Sequence, residues 1–154
     1  MDIGIETSDR LAITESLSVL LADSYNLYLK THGYHWNVTG PMFRTLHLMF
    51  EDEYTELADA VDEIAERIRS LGHMAPASFS SYDALSSIHD DTDVPEAMTM
   101  VANLVEAHET VARSGRATLG VAEGAGDAVT VDLATRRLEV HEKTAWMLRS
   151  LLEG

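Results

Sequence analysis

Apolar residues recur at three- and four-residue intervals over four long stretches of the chain, and strict alternation is nearly absent. The first stretch opens near Ser8 or Asp9, either of which suits a helix N-cap. It carries Leu11, Ile13, Leu17, Leu20, Leu21, Tyr25, Leu27, Tyr28 and Leu29 toward Trp36. Gly40-Pro41 ends it. The second runs from about Phe43 to Leu71 and stops at Gly72, a residue suited to the left-handed position that closes a helix. From 73 to 94, Ser, Asp and Pro predict a loop, with YDALSSI as a short helix inside it. The third starts around Pro95, with Pro at the first helical position, and reaches about Val121. GAGDA breaks it, and the fourth covers about Ala128 to Leu152, with Leu133, Leu138, Met147, Leu148 and Leu151 as expected core positions. Four helices of roughly 25 residues with one long central connection predict an all-α four-helix bundle with a crossover, as one domain over 1–154.

Composition narrows the chemistry. The chain has 154 residues, ordinary for one domain, and 45% are apolar. It has no cysteine, which excludes disulfides, thiolate catalysis and cysteine-based zinc or iron–sulfur sites. A transition metal here must be held by His and carboxylate, a donor set suited to iron, manganese or zinc. The opening MDIGIETSDR has neither the basic nor the apolar segment of a secretory signal, and no apolar run approaches a membrane span, so a cytoplasmic protein is expected. The net charge of −15 repels phosphate backbones and favours cations as ligands.

The second helix then separates into two faces. At 100° per residue from His47, Glu51 falls at about 40°, Asp62 at about 60° and Glu66 at about 100°. Leu46, Phe50, Leu57, Val61, Ile64, Ile68 and Leu71 cluster between about 240° and 320°. Aligned carboxylates also arise on any solvated face of an acidic chain, so spacing alone leaves both readings open. Glu51 and Asp62 are about 16 Å apart along the helix, too far to share a metal within one chain. Two antiparallel copies related by a two-fold axis would remove that difficulty. The pairs 47/66 and 51/62 share one midpoint, so His47 would face the partner's Glu66 and Glu51 the partner's Asp62. None of the seven histidines has Glu three residues before it, which disfavours the Glu-x-x-His sites found inside single bundles.

His35-Trp36-Asn37, Gly40-Pro41-x-Phe43-x-x-Leu46-His47, Phe50-Glu51 and Asp62-Glu63-Ile64-Ala65-Glu66-Arg67 resemble the signature of the Dps family, the miniferritins or DNA-binding proteins from starved cells. The tail from Glu139 to Leu148 is similar to that family's last helix. The resemblance implies a ferritin-like bundle with a short extra helix in the long connection, assembling into a hollow homo-dodecamer. It implies di-iron ferroxidase centres at dimer interfaces, ligated by His35, His47 and Glu51 of one subunit and Asp62 and Glu66 of its mate. Many members carry Asp where this chain has Glu51. The implied reaction oxidises Fe(II), preferably with hydrogen peroxide rather than O2, and stores ferric mineral. Trp36 beside the centre would donate or intercept an electron. His32, one turn before His35, is expected to be structural or a partner of a ligand. The helix break at Gly40 would let His35 and His47 converge.

By the same resemblance, Glu123, Asp127 and Asp132 would line an ion-entry pore, with Asp127 also suited to cap the last helix. Asp52, Glu56 and Asp59 would line the cavity and nucleate mineral, although Leu48 stands where some members carry an acid. His73, His89, His108 and His141 have no matched ligand spacing and are expected to be structural or on the surface, and the methionines to fill core space. The alternative function is a nucleoid-associated, DNA-protecting protein with iron oxidation secondary. Against direct DNA binding, the first nine residues contain acids and no base, and Arg136-Arg137 lies among acids.

Overall fold

The computed structural model describes residues 1–153; Gly154, the last residue of the expected domain, lies outside them. Five helices and no strand occur among these residues: α1 (Thr7–Asn37), α2 (Phe43–Ser70), α3 (Phe79–Leu85), α4 (Ala97–Gly124) and α5 (Ala128–Leu152). No helix among them is long and apolar enough to cross a membrane.

α1 and α2 form one helical hairpin and α4 and α5 another. The long connection carries the chain back along α1: Gly72 lies against Met1, the Asn26 amide donates to the Ile88 carbonyl, and Lys30 pairs with Asp91 at 2.9 Å. α4 then returns beside α1, where Asn103 donates to the Tyr34 hydroxyl and Ser114 to Asp23. α5 closes the bundle against α2 through Arg67–Asp127, Arg136–Glu63 and Arg137–Glu56. The core is apolar and continuous, with Ile13, Leu17, Leu20, Leu27, Leu46, Phe50, Leu57, Ile64, Ile68, Leu104, Leu133 and Leu148 all buried.

Several boundaries differ from the sequence expectation. α1 begins at Thr7 behind Glu6, so neither Ser8 nor Asp9 is the cap, and no side chain caps that end. Pro95 lies two residues before α4; Glu96, in extended backbone, precedes the first turn. The short helix starts three residues earlier than YDALSSI because the Ser78 hydroxyl accepts from the Ser81 amide and nucleates the turn there. Met147 is 43% exposed, and Leu11 and Leu29 are also on the surface rather than in the core.

α2 and α4 end alike. After α2, His73 N–H donates to Ile68 O and Gly72 N–H to Arg69 O; after α4, Asp127 N–H donates to Ala122 O and Gly126 N–H to Glu123 O. Each is the paired closure that needs a left-handed residue, supplied by Gly72 at φ +96° and Gly126 at φ +69°. In the second, the closing residue is Asp127, which caps α5 at once. One short segment therefore stops a helix and starts the next.

Candidate metal centre

The hairpin between α1 and α2 is tight. α1 ends with Val38 N–H on Tyr34 O, Gly40 adopts φ +99°, and Phe43 N–H returns to Gly40 O at 3.0 Å. This places His35, in the last turn of α1, against His47, near the start of α2. Their rings stack with centroids 3.8 Å apart and planes 20° from parallel. Each ring Nδ1 lies 2.8 Å from the other residue's backbone carbonyl oxygen. A carbonyl only accepts, so both Nδ1 atoms carry hydrogen, and each Nε2 of the neutral rings keeps its lone pair. A backbone clasp of this kind fixes the tautomer of a metal-binding imidazole.

Glu51 lies one turn after His47. One donor atom from each of His35, His47 and Glu51 lies within 4.8 Å of the other two. Small side-chain movements bring such a set onto one ion with bonds of about 2.0–2.2 Å. His35 is buried, His47 half-buried and Glu51 exposed, so the cluster is anchored inside and open outward. Two nitrogens and one carboxylate suit Fe(II) or Zn(II), and the chain's own ligands cover only one side of such an ion.

Aromatic rings brace the buried side. His32 packs 4.0 Å from Trp36 and stacks on Tyr54 at 4.2 Å, and Tyr54 meets His35 edge-on at 5.1 Å. Burial, with a smaller contribution from His35, lowers the His32 pKa. Tyr54 escaped the sequence reading because a tyrosine on a helix carries no ligand signal; only packing shows that it supports the cluster. Trp36 reaches the cluster only through His32 among these ring contacts and is 60% exposed. Asp62 and Glu66 are exposed further along α2, and the single chain does not bring them to the cluster.

A ferritin-like domain model matches residues 14–154. A DNA protection during starvation protein of Bacillus anthracis is 37% identical over 140 residues, covering 91% of this chain and 96% of that protein. The chain belongs to the Dps family of ferritin-like proteins. An uncharacterised low temperature-induced protein of Nostoc is 41% identical over 159 residues, covering 100% of this chain and 87% of that protein. Among solved structures, the Dps protein of Vibrio cholerae, described as a member of a superfamily of ferritin-like diiron-carboxylate proteins, superposes with a TM-score of 0.94. It is 34% identical and covers 98% of this chain and 95% of that one.

Six further acidic residues of this Dps chain are expected in two groups, at a pore and at the cavity wall. Asp127 is 2% exposed; it accepts from Thr130 N–H at the start of α5 and from Arg67 Nη2 at 2.8 and 2.7 Å. Burial opposes ionisation, but the bonds from Arg67 and Thr130 outweigh it and hold the pKa below the usual carboxylate value. Asp127 is thus committed to capping and pairing within the chain, which leaves Glu123 and Asp132 as the exposed carboxylates of the expected pore set. Asp132 also holds Arg136 Nε at 2.9 Å. Of the expected nucleation residues, Asp52 and Asp59 are exposed, whereas Glu56 forms a two-pronged pair with Arg137 that offsets its charge.

Proposed function

We propose that this Dps protein forms a hollow twelve-subunit shell in the cytoplasm that oxidises Fe(II) at centres shared by two subunits and stores the ferric product inside. The observation that carries this reading is the His35–His47–Glu51 cluster, with its Nδ1 hydrogens clasped to backbone and its Nε2 lone pairs free. Asp62 and Glu66 of the partner subunit would complete the set, because the 47/66 and 51/62 pairs share a midpoint on α2 and a two-fold axis there brings both together twice.

Fe(II) is here the substrate and the cargo. Two ferrous ions side by side supply both electrons that hydrogen peroxide needs to become water, so no hydroxyl radical is released; hydrogen peroxide is the preferred oxidant over O2. The chain's residues do the positioning. His35 and His47 bind as neutral donors and leave the ion's charge intact, while Glu51 and the partner's acids balance that charge as it rises. The outward side stays open for oxidant. Trp36, which follows His35 in α1 and packs on His32, would supply an electron if a one-electron oxidant forms. Glu123 and Asp132 would attract cations toward an entry pore, and Asp52 and Asp59 toward the cavity wall.

The second reading, DNA protection, draws on the likeness to the Bacillus anthracis DNA protection during starvation protein. The net charge of −15 opposes direct contact with a phosphate backbone, so iron chemistry is the reading preferred here. Anaerobic Fe(II) titration of the apo-protein, followed by peroxide, tests it. At the shared centres, occupancy of up to about two irons per chain is expected, with fast oxidation and that occupancy lost in the His47→Ala/Asp62→Ala double variant. Oxidation no faster than that of free iron in both proteins would refute it.

A further inference from the structure

The apolar stripe of α2 contains a carboxylate, Glu53, that is not part of the His35–His47–Glu51 cluster. Glu53 falls about 240° from His47, at the edge of the stripe made by Leu46, Phe50, Leu57 and Ile64. Its side chain is 8% exposed, and neither oxygen has a hydrogen-bond partner among the described residues. Of the Lys, Arg and His side chains described, only His108 of α4 comes within 4 Å, with Nε2 3.8 Å from Glu53 Oε2. His108 is 2% exposed, and its Nε2 is also without a partner. The other deeply buried carboxylates differ. Asp23 accepts from Ser86, Ser87 and Ser114, and Asp127 from Arg67 and Thr130. At 3.8 Å the His108 Nε2 is too far to serve Glu53 as a hydrogen-bond donor, and a carboxylate withdrawn from water without one is costly, so the two facing atoms call for an occupant between them.

Space and charge suit a cation. A cavity of about 280 Å³ between α2, α4 and α5 is bounded by Glu53 and His108 and by Asp52, Glu56 and Lys143, with apolar side chains between them. At roughly 30 Å³ per water, it holds an ion with several waters. Glu53 and Glu51 point about 200° apart around α2, so this cavity lies on the opposite face from the His35–His47–Glu51 cluster.

A buried relay stands behind His108. Its Nδ1 is 3.0 Å from His141 Nδ1, and His141 Nε2 is 3.1 Å from Arg137 Nη2. Arginine only donates, so His141 accepts at Nε2, carries its hydrogen on Nδ1 and donates to His108 Nδ1. In the ion-free chain, His108 therefore carries its hydrogen on Nε2. Binding a cation there releases that proton, passes the His141 Nδ1 hydrogen to His108 Nδ1, and returns one proton to His141 Nε2. Arg137 loses its contact with His141 but keeps both bonds to Glu56.

We propose that this cavity is a second divalent transition-metal site, with Glu53 and His108 as its protein ligands, water completing the coordination sphere, and His141 and Arg137 as positioning residues. A nitrogen–carboxylate set with water suits Fe(II), Zn(II), Mn(II) or Co(II). The Glu-x-x-His pattern misses it because its ligands come from two helices. The proposal stands whether or not the interface centre is a ferroxidase.

The test uses Co(II) and the assembled protein with the first cluster disabled by His47→Ala. Co(II) absorption and calorimetric titration are expected to retain one site per chain, weakened at least tenfold when Glu53→Gln is added. Equal binding with and without Glu53→Gln would overturn the proposal. Zn(II)-soaked crystals of the unmutated protein avoid any folding defect: an anomalous peak about 2.0–2.2 Å from Glu53 and His108 Nε2 supports the site. A peak only at His35 and His47 overturns it. Solid-state ¹⁵N spectra follow the relay, and a His108 hydrogen that remains on Nε2 at Zn(II) saturation also counts against it.

Discussion

Asp127 joins three structural roles in one carboxylate. It closes α4 through its backbone, caps α5 through its side chain and pairs with Arg67 of α2. Because the folded carboxyl has a lowered pKa, it contributes stability above the unfolded value near pH 4 that is lost as pH falls through the folded value. Asp127→Asn keeps a capping oxygen but leaves the Arg67 charge unpaired, and is expected to cost about 3 kcal/mol at pH 7. Denaturant midpoints measured from pH 7 to pH 2 should show the gap between variant and parent narrowing on the acid side. A gap constant across that range would mean that the carboxylate's charge is not what stabilises the joint. These folding roles fall to the same residue that the resemblance assigns to an ion-entry pore.

At the scale of elements, two glycines near the end of α4 predict opposite signs for one substitution. Gly126 needs φ +69°, and a Cβ there meets no atom within 4 Å, so Gly126→Ala is expected to cost about 1–2 kcal/mol through backbone strain alone. Gly120 lies inside α4 with open space at its Cβ, so Gly120→Ala should stabilise by about 0.5–1 kcal/mol. Chemical unfolding of the two variants beside the parent checks both, and equal signs would contradict the helix-closure account. The same contrast explains what the sequence made legible. The seven apolar positions expected on α2 are buried or, for Val61, half-buried, because their period depends only on helical geometry. The structure also brings together His35, His47 and Glu51, the set the resemblance implied, because a five-residue turn keeps the two helix ends side by side. The start of α1 was not, because a backbone residue without a capping side chain leaves no compositional mark. Nor was the Glu53–His108–His141–Arg137 chain, which exists only once three helices pack. A carboxylate within an apolar stripe was its one visible trace.

For the whole molecule, the single chain is an incomplete object. Val129 is 60% exposed, Trp146 61%, Met147 43% and Leu48 47%, and the proposed shell would cover part of this apolar surface. Met147, expected in the bundle core, instead lines the cavity between α2, α4 and α5 and is 43% exposed. A shell of twelve 17.0 kDa chains would have a mass of about 200 kDa and a net charge of about −180. Sedimentation of the unmutated protein is expected to show that species, and Trp146→Glu, which places a charge on the α5 face, to shift it toward smaller ones. A parent that sediments as a lone chain would refute the shell, whereas a fully assembled Trp146→Glu would place the contacts elsewhere. The same charge predicts that the assembled protein does not retard duplex DNA at about 0.15 M salt, since each phosphate contact needs a cation and the chain has 26 acids to 11 Lys and Arg. Retardation that appears only when Mg(II) is added would identify bridging ions as the route, and retardation without them would favour the DNA-protecting reading over iron storage.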